Sequence, residues 1–218
     1  MRTRIYILAL VVLALSALGE LAAQGGGNAA PAAAPAGVRL EVNTGSRAQY
    51  RVREQLAGIN FPNDVVGITN DVTGLIVIKA DGTIDSAQSK IVVDLRTLKT
   101  DQDQRDRFIQ GERGLKTTQF PTAEFVPKRA VGLPWPFPAT PPAQAGFQLV
   151  GDLTLYGTTK EVTWNVVTTF NPDAVSGRAV TEFPFTTFGI PKPQLARLMS
   201  VDDTIHLELD VRFKRTAS

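Results

Sequence analysis

The sequence contains no cysteine and a single histidine, His206. The missing cysteines exclude disulfides, thiolate metal sites, cysteine nucleophiles and lipid attachment to a cysteine. Residues 204–213 alternate between apolar and polar side chains, and His206 falls on the polar face beside Glu208. That alternation predicts a strand with one solvated face, so His206 is interpreted as a solvated strand residue and not as a catalytic group.

The chain also has no marked excess of positive or negative side chains. The chain has 23 Lys and Arg residues against 21 Asp and Glu residues, a formal net charge of +2. Nucleic-acid binding normally requires a basic face, so no nucleic-acid partner is expected. The chain also lacks a Gly-x-Ser-x-Gly elbow, a His-x-x-x-His metal pair and a glycine-rich phosphate loop. We therefore predict no metal, no cofactor and no catalysis. Catalysis that relies on acidic residues is left open as an alternative. Assembly into a homodimer is also left open.

The apolar run from Ile5 to Leu18 is too short to cross a bilayer comfortably, which takes about 20 residues. Arg2 and Arg4 precede it, and small residues follow it. This order is typical of a cleavable signal peptide over residues 1–24, with an uncleaved anchor as the alternative. The leader predicts a periplasmic or secreted protein.

Residues 25–37 read GGGNAAPAAAPAG, a composition that buries almost no apolar surface. Such a segment is expected to be a disordered linker. The folded domain is then predicted to span residues 38–216.

Period-two alternation dominates this domain. A hairpin is expected from residues 149–155 and 162–170 around the turn Tyr156-Gly157-Thr158-Thr159. A second is expected where residues 75–80 turn at Asp81-Gly82 into residues 83–85. The other strand candidates are residues 50–58, 91–96, 123–128, 179–187 and 204–213.

A short helix is predicted at residues 100–109, with Thr100 as its N-cap and acids in the first turn. About eight antiparallel strands with one helix predict an all-β barrel or sandwich. Alternation alone does not distinguish a filled barrel from a hollow one.

Residues 133–142 read LPWPFPATPP and look like an insertion between two strands. Three interpretations are open. The segment could be a polyproline-II docking site, a stiff loop that covers a pocket through Trp135 and Phe137, or a tolerated surface loop.

Four motifs in sequence order resemble the YceI-like family of exported bacterial proteins. The first combines a Thr-Leu-x-Thr turn, an Arg-Asp pair on a short helix and a Phe-Pro-Thr turn before a strand phenylalanine. The others are a Gly-x-Leu-Thr-Leu-x-Gly-x-Thr-Lys hairpin, a Phe-Gly-Ile turn and a final acidic turn. In this chain the first motif corresponds to Thr97-Leu98-Lys99-Thr100, Arg105-Asp106, and Phe120-Pro121-Thr122 with Phe125. The hairpin corresponds to residues 151–160, the Phe-Gly-Ile turn to Phe188-Gly189-Ile190, and the acidic turn to Val201-Asp202-Asp203.

This resemblance implies an antiparallel eight-stranded lipocalin-like barrel with an elongated pocket for a polyisoprenoid or similar long-chain lipid. Arg105 is the candidate contact for a polar headgroup, although pairing with a nearby carboxylate is the favoured alternative for it. The residues expected to line the apolar pocket are Leu95, Phe108, Phe125, Leu153, Leu155, Trp164, Phe188 and Ile190.

Two departures from the family pattern concern polar contacts. The first-strand Asp-x-x-His-Ser signature is missing from residues 48–55, and the arginine of the family's Arg-x-x-Phe-Gly arrangement is missing from Phe185-Thr186-Thr187 before Phe188. The resemblance therefore leaves the headgroup of the lipid unspecified. The alternative function is an interaction or scaffold barrel with a filled core, which contacts a partner through residues 133–142.

Overall fold

The computed structural model describes residues 36–58, 60–138, 140, 142–194 and 198–217. The predicted signal peptide and residues 25–35 of the predicted linker lie outside these ranges. The described strands are β1 Val38–Val42, β2 Arg47–Leu56, β3 Asn63–Thr69, β4 Val72–Ile78, β5 Lys90–Asp94, β6 Thr122–Val131, β7 Ala143–Leu155, β8 Thr158–Phe170, β9 Ala174–Pro184, β10 Leu198–Val201 and β11 Thr204–Ala217. The α-helix is α1 Asp103–Gln110, and 3₁₀ turns lie at Leu95–Thr97 and Phe185–Thr187.

These strands form a closed antiparallel barrel of eight long strands. β1 and β2 are two parts of one long strand, and β3 and β4 are two parts of the next, because β1 pairs with β4 and β2 with β3 in antiparallel registers that differ by only one residue. β5, β6, β7, β8 and β9 follow as neighbours, and β11 pairs with β9 on one side and with β1 and β2 on the other. The predicted eight-stranded antiparallel barrel with one short helix is confirmed.

Ser46 bridges the interruption between β1 and β2. Its hydroxyl donates to the Asn43 carbonyl at 2.8 Å and accepts from the Arg212 backbone N–H at 3.0 Å. Since Ser46 is buried, these two bonds replace ladder bonds that the interruption removes. β11 can therefore follow β2 and then β1 without leaving buried backbone groups unpaired at this point.

The strand predictions were partly wrong. Residues 83–85 form only a bridge, Ile78 to Ile84, and the sheet partners of β4 are β1 and β5. The predicted strand at 179–187 begins earlier, at Ala174, and ends at Pro184, where the chain enters a 3₁₀ turn. β1, β3 and β10 were not predicted. β1 and β3 are the short or polar halves of interrupted strands, which weakens their alternation.

The helix is present, but its predicted cap was wrong. α1 begins at Asp103 with Gln102 as N-cap, and the Gln102 side chain makes no capping bond. Thr100 instead donates both its backbone N–H and its hydroxyl to Asp106 Oδ1, at 2.7 and 2.8 Å. The carboxylate of Asp106, in the first turn of α1, therefore stabilises the start of the helix by accepting both bonds.

Two buried clusters occupy the two ends of the barrel. α1 belongs to the connection that enters β6 at Thr122, whereas the proline-rich loop leaves β6 at Val131. These connections therefore lie at opposite ends, called here the helix end and the loop end. The helix-end cluster includes Leu95, Phe125, Trp164 and Phe185, and the loop-end cluster includes Leu40, Ile78, Phe137, Phe170 and Phe213.

Pro127 lies inside β6, where a proline would normally break the ladder. The register between β6 and β7 shifts between Pro127 and Arg129, so the proline sits at a bulge that spares its missing N–H. Gly151 of β7 faces it. A Cβ on Gly151 would lie 2.3 Å from the Val126 carbonyl oxygen and 2.8 Å from Pro127 Cα. The bulge therefore requires a residue without a side chain opposite it.

We expect Gly151→Ala to destabilise the barrel by about 1–3 kcal/mol, the range for overpacking a close contact. Gly146→Ala on the same strand is the matched control, because its nearest atom would lie at 3.8 Å. Urea unfolding followed by circular dichroism measures both. Equal midpoints for the two variants would contradict the steric explanation.

Candidate functional site

An apolar cavity runs through the interior of the barrel. The volume open to the centre of a water molecule is about 280 Å³, and all eight long strands contribute to its wall. It reaches from Phe108 and Leu115 at the helix end to Leu133 and Phe137 at the loop end. The barrel is hollow, so the filled core assumed in the scaffold alternative was wrong.

The structure brings together eight of the nine predicted site residues. Leu95, Phe108, Phe125, Leu153, Leu155, Trp164, Ile190 and Arg105 all line the cavity. Their position around one cavity is thus as the resemblance implied, while ligand contact by each of them stays a prediction.

Phe188 is the exception, and its predicted place on the cavity wall was wrong. Its side chain is fully buried but packs against Phe183, with ring centroids 4.7 Å apart in an edge-on arrangement. The 3₁₀ turn Phe185–Thr187 directs Phe185 and Ile190 to the cavity, whereas Phe188 packs within the surrounding core. Its role in the structure is to hold this turn in place.

Trp164 carries an unpaired polar atom within the helix-end cluster. Its ring meets Phe125 edge-on at 5.8 Å, and only 6% of the residue is exposed. The indole Nε1 is buried without a hydrogen-bond partner among the described residues. A buried indole N–H normally finds a partner, so this atom is a donor available to a bound molecule.

Tyr50 supplies a second unpaired polar atom. Its hydroxyl is buried without a hydrogen-bond partner in the described part of the chain, and the residue lines the cavity. Burial raises the pKa of Tyr50 far above its usual value, although the nearby Arg105 opposes this shift. The phenol therefore keeps its proton at neutral pH and remains a neutral donor.

Arg105 is held by carboxylates on two sides. Its guanidinium lies 3.2 Å from Glu54 Oε1 and also contacts Asp101, which lies four residues earlier and just before α1. The Arg105 and Glu54 side chains are 16% and 12% exposed, and both residues line the cavity. The structure thus agrees with the favoured alternative of carboxylate pairing. An anionic headgroup would meet an arginine whose charge is already compensated.

The neighbouring Asp106 has a structural role. It is 4% exposed and accepts the two bonds from Thr100, and Lys99 Nζ lies 3.4 Å from its other oxygen. Burial opposes its ionisation, but the Thr100 hydrogen bonds and Lys99 outweigh burial and hold the pKa of Asp106 below its usual value. Arg105 and Asp106 therefore act on different partners, as adjacent helix residues should.

At the loop end, the proline-rich loop turns its apolar side chains toward the barrel. Leu133 and Phe137 line the cavity. The ring of Phe137 lies 4.6 Å from Phe170 and 5.2 Å from Trp135. Of the three interpretations of this segment, the stiff loop that covers the pocket through Trp135 and Phe137 is the one that fits.

Tyr50, Glu54, Leu133 and Phe137 were not among the predicted site residues. Tyr50, Val52 and Glu54 share one face of β2, and all three line the cavity. The sequence signal that could have revealed this part of the site was Glu54, an acidic residue on the otherwise apolar face of an alternating strand. Loop residues carry no periodicity, so no comparable signal marks Leu133, and Phe137 was anticipated only in the interpretation of residues 133–142 as a loop that covers a pocket.

His206 is exposed as predicted, and its partner lies on the neighbouring strand. Its Nδ1 is 3.0 Å from Glu182 Oε2 across the β9–β11 pair, and its side chain is 46% exposed. In the described ranges, no group of three or more His, Asp or Glu residues could hold a metal ion. None of the helices described there is long and apolar enough to span a membrane.

Comparison with known proteins identifies the class to which this hollow barrel belongs. The family model for the YceI-like domain matches residues 42–213. The chain belongs to the YceI-like family. No protein with a curated function matches the sequence.

Solved structures share the fold at low sequence identity. A polyisoprenoid binding domain from Saccharophagus degradans, implicated in plant cell wall breakdown, is 11% identical with a TM-score of 0.58, covering 82% of this chain and 98% of that one. BcnA of Burkholderia cenocepacia is 15% identical with a TM-score of 0.56, covering 77% and 95%. The Campylobacter jejuni YceI protein is 15% identical with a TM-score of 0.55, covering 72% and 88%.

The buried carboxylate at α1 makes stability depend on pH. A pKa lowered by folding stabilises the protein above the unfolded-state value of about 3.9, and this stabilisation is lost as the pH falls through the folded-state value. Asp106→Asn should therefore be destabilising at about pH 6, and its deficit against the unaltered protein should shrink toward about pH 2.

Urea unfolding at several pH values measures this deficit. Asp103→Asn is the matched control, because Asp103 is exposed on the same helix. A deficit of Asp106→Asn that stays constant over the whole pH range would show that the carboxylate charge does not stabilise the helix start.

Proposed function

We propose that this protein binds a long apolar lipid of the polyisoprenoid type without catalysis, and sequesters or carries it in the cell envelope. The observation that carries the proposal is the apolar cavity, which extends from the helix end to the loop end of the barrel. Membership in the YceI-like family and the Saccharophagus degradans polyisoprenoid binding domain support the choice of ligand class.

Affinity in such a cavity comes mainly from buried apolar area. Removing apolar surface from water is worth roughly 25 cal/mol per Å², so a long hydrocarbon chain can bind tightly without a strong polar contact. The cavity wall is mostly Leu, Ile, Val and Phe, which suits a ligand of this kind.

The polar atoms of the cavity give such a ligand an orientation. Tyr50, Glu54 and Arg105 lie at or beside α1, whereas Leu133, Phe137 and Phe170 at the opposite end are apolar. An amphiphilic lipid would place its polar group at the helix end and its tail toward the loop end. There the free Tyr50 hydroxyl can donate to an oxygen of the headgroup.

Protein purified from its own host should carry an apolar ligand that native mass spectrometry detects.

Tyr50→Phe should weaken binding of a polyprenol by about three- to tenfold, the value of one hydrogen bond, and leave binding of a polyisoprenoid hydrocarbon of matched length unchanged. Tyr156→Phe is the control, because Tyr156 packs on Phe120 outside the cavity wall.

Two results would count against this proposal. A ligand-free protein that takes up neither the polyprenol nor the hydrocarbon would refute lipid binding. Equal losses for both ligands in Tyr50→Phe would refute the hydrogen bond while leaving lipid binding in place.

We also propose that the barrel works outside the cytoplasm, in the periplasm or as a secreted protein. The support is the basic and apolar order of residues 1–24. The mature protein should lack residues up to a point between Gly19 and Gln24, which intact-mass measurement of the exported fraction will show. Leu13→Arg should keep the protein in the cytoplasm, whereas Ala30→Arg in the linker should not. Export of the Leu13→Arg variant would contradict the signal-peptide assignment.

A further inference from the structure

The loop end of the cavity is covered by the proline-rich loop. The loop between β6 and β7 leaves the wall at Val131, at the opposite end of β6 from the α1 connection. Two of its side chains, Leu133 and Phe137, reach the cavity beside Phe170, the last residue of β8. A lipid tail extending from the helix end would therefore meet this loop last.

Phe137 is the most deeply placed aromatic side chain of this loop. It is only 7% exposed, although it belongs to a connection and not to a strand. Its ring packs between Phe170 at 4.6 Å and Trp135 at 5.2 Å. The three rings form a contiguous aromatic stack at the loop end.

The stack is anchored to two other parts of the barrel. The Trp135 indole N–H donates to the Ala80 carbonyl at 2.9 Å, and the Trp135 ring lies against Gly82 in the β4–β5 connection. The Arg215 guanidinium of β11 lies 5.1 Å from the centroid of the Phe137 ring. These contacts fix the ring in position, so the loop presents a rigid surface to the cavity.

We propose that Phe137 is the end stop that determines how long an apolar tail the barrel accepts. This inference rests on the proposed lipid-binding function. While the tail is shorter than the cavity, each added isoprene unit buries more apolar surface and strengthens binding. Once the tail reaches the Phe137 ring, further units find no space in the close-packed stack and no longer contribute.

The experiment measures the dissociation constants of all-trans polyprenols of increasing length. For the unaltered protein, affinity should rise with length up to a limiting length and then stop rising or fall. Phe137→Ala should move that limit to tails longer by at least one isoprene unit and leave the affinity for short tails within about threefold. Phe61→Ala is the matched control, because Phe61 is 77% exposed on the β2–β3 turn.

The outcomes separate this inference from the proposed function. If no polyprenol of any length binds the unaltered protein, the lipid-binding proposal fails. If polyprenols bind but the limiting length is the same in Phe137→Ala, or if affinity rises without a limit, the end stop is refuted. Should Phe137→Ala not fold by circular dichroism, Phe137→Leu is judged by the same shift in limiting length.

Discussion

The closure of the sheet through β11 is the constraint on which the other features of this protein depend. β11 pairs with β9 along one edge and with β2 and then β1 along the other, so these long strands present no free edge to another chain. Closure also collects all inward side chains around one interior. An eight-stranded interior is about wide enough for side chains or one small ligand, so the size of those side chains decides which of the two it contains.

A closed wall leaves two ends, and the chain closes them with different chemistry. At the helix end, Arg105 and Glu54 form an ion pair within reach of the cavity, and Asp101 adds a second carboxylate. At the loop end, Phe137 and Phe170 leave the cavity surface apolar. The Arg105–Glu54 pair therefore gives the helix end a polarity that the aromatic surface of Phe137 and Phe170 lacks. Because the arginine is already compensated, this polarity consists of hydrogen-bonding groups more than of net charge.

Much of the wall could be predicted from sequence, because alternation reports which side chains face inward. The turn at residues 156–159, the strands around it and the apolar face of β11 follow from that rule. It failed where tertiary contacts override local pattern. After the Asp81-Gly82 turn the chain forms only a single bridge, Ile78 to Ile84, because β5 occupies the position beside β4 that the predicted hairpin strand would have taken. Phe188 has the right residue type for a pocket, yet a 3₁₀ turn directs it away from the cavity.

The ends of the barrel were less predictable than its wall. The position of Phe137 depends on a hydrogen bond from Trp135 to Ala80, and the Arg105–Glu54 pair joins α1 to β2. Both contacts link segments far apart in sequence that share no periodicity. Motif resemblance placed Arg105 at the site but could not name its partner, because the partner lies on a strand whose family signature this chain lacks.

The hollow interior has a sequence basis that alternation alone does not express. Several inward positions carry small residues, including Ala48 of β2, Ala123 and Ala130 of β6, and Gly177 and Ala179 of β9, and all of them line the cavity. Large inward residues such as Phe125 and Trp164 lie among them and do not fill the space that they leave. Solved structures at 11–15% identity share this fold, so most inward positions can differ in residue type while the barrel is kept. The shape of the cavity depends on which of those residues are small, and it can therefore change between relatives while the barrel does not.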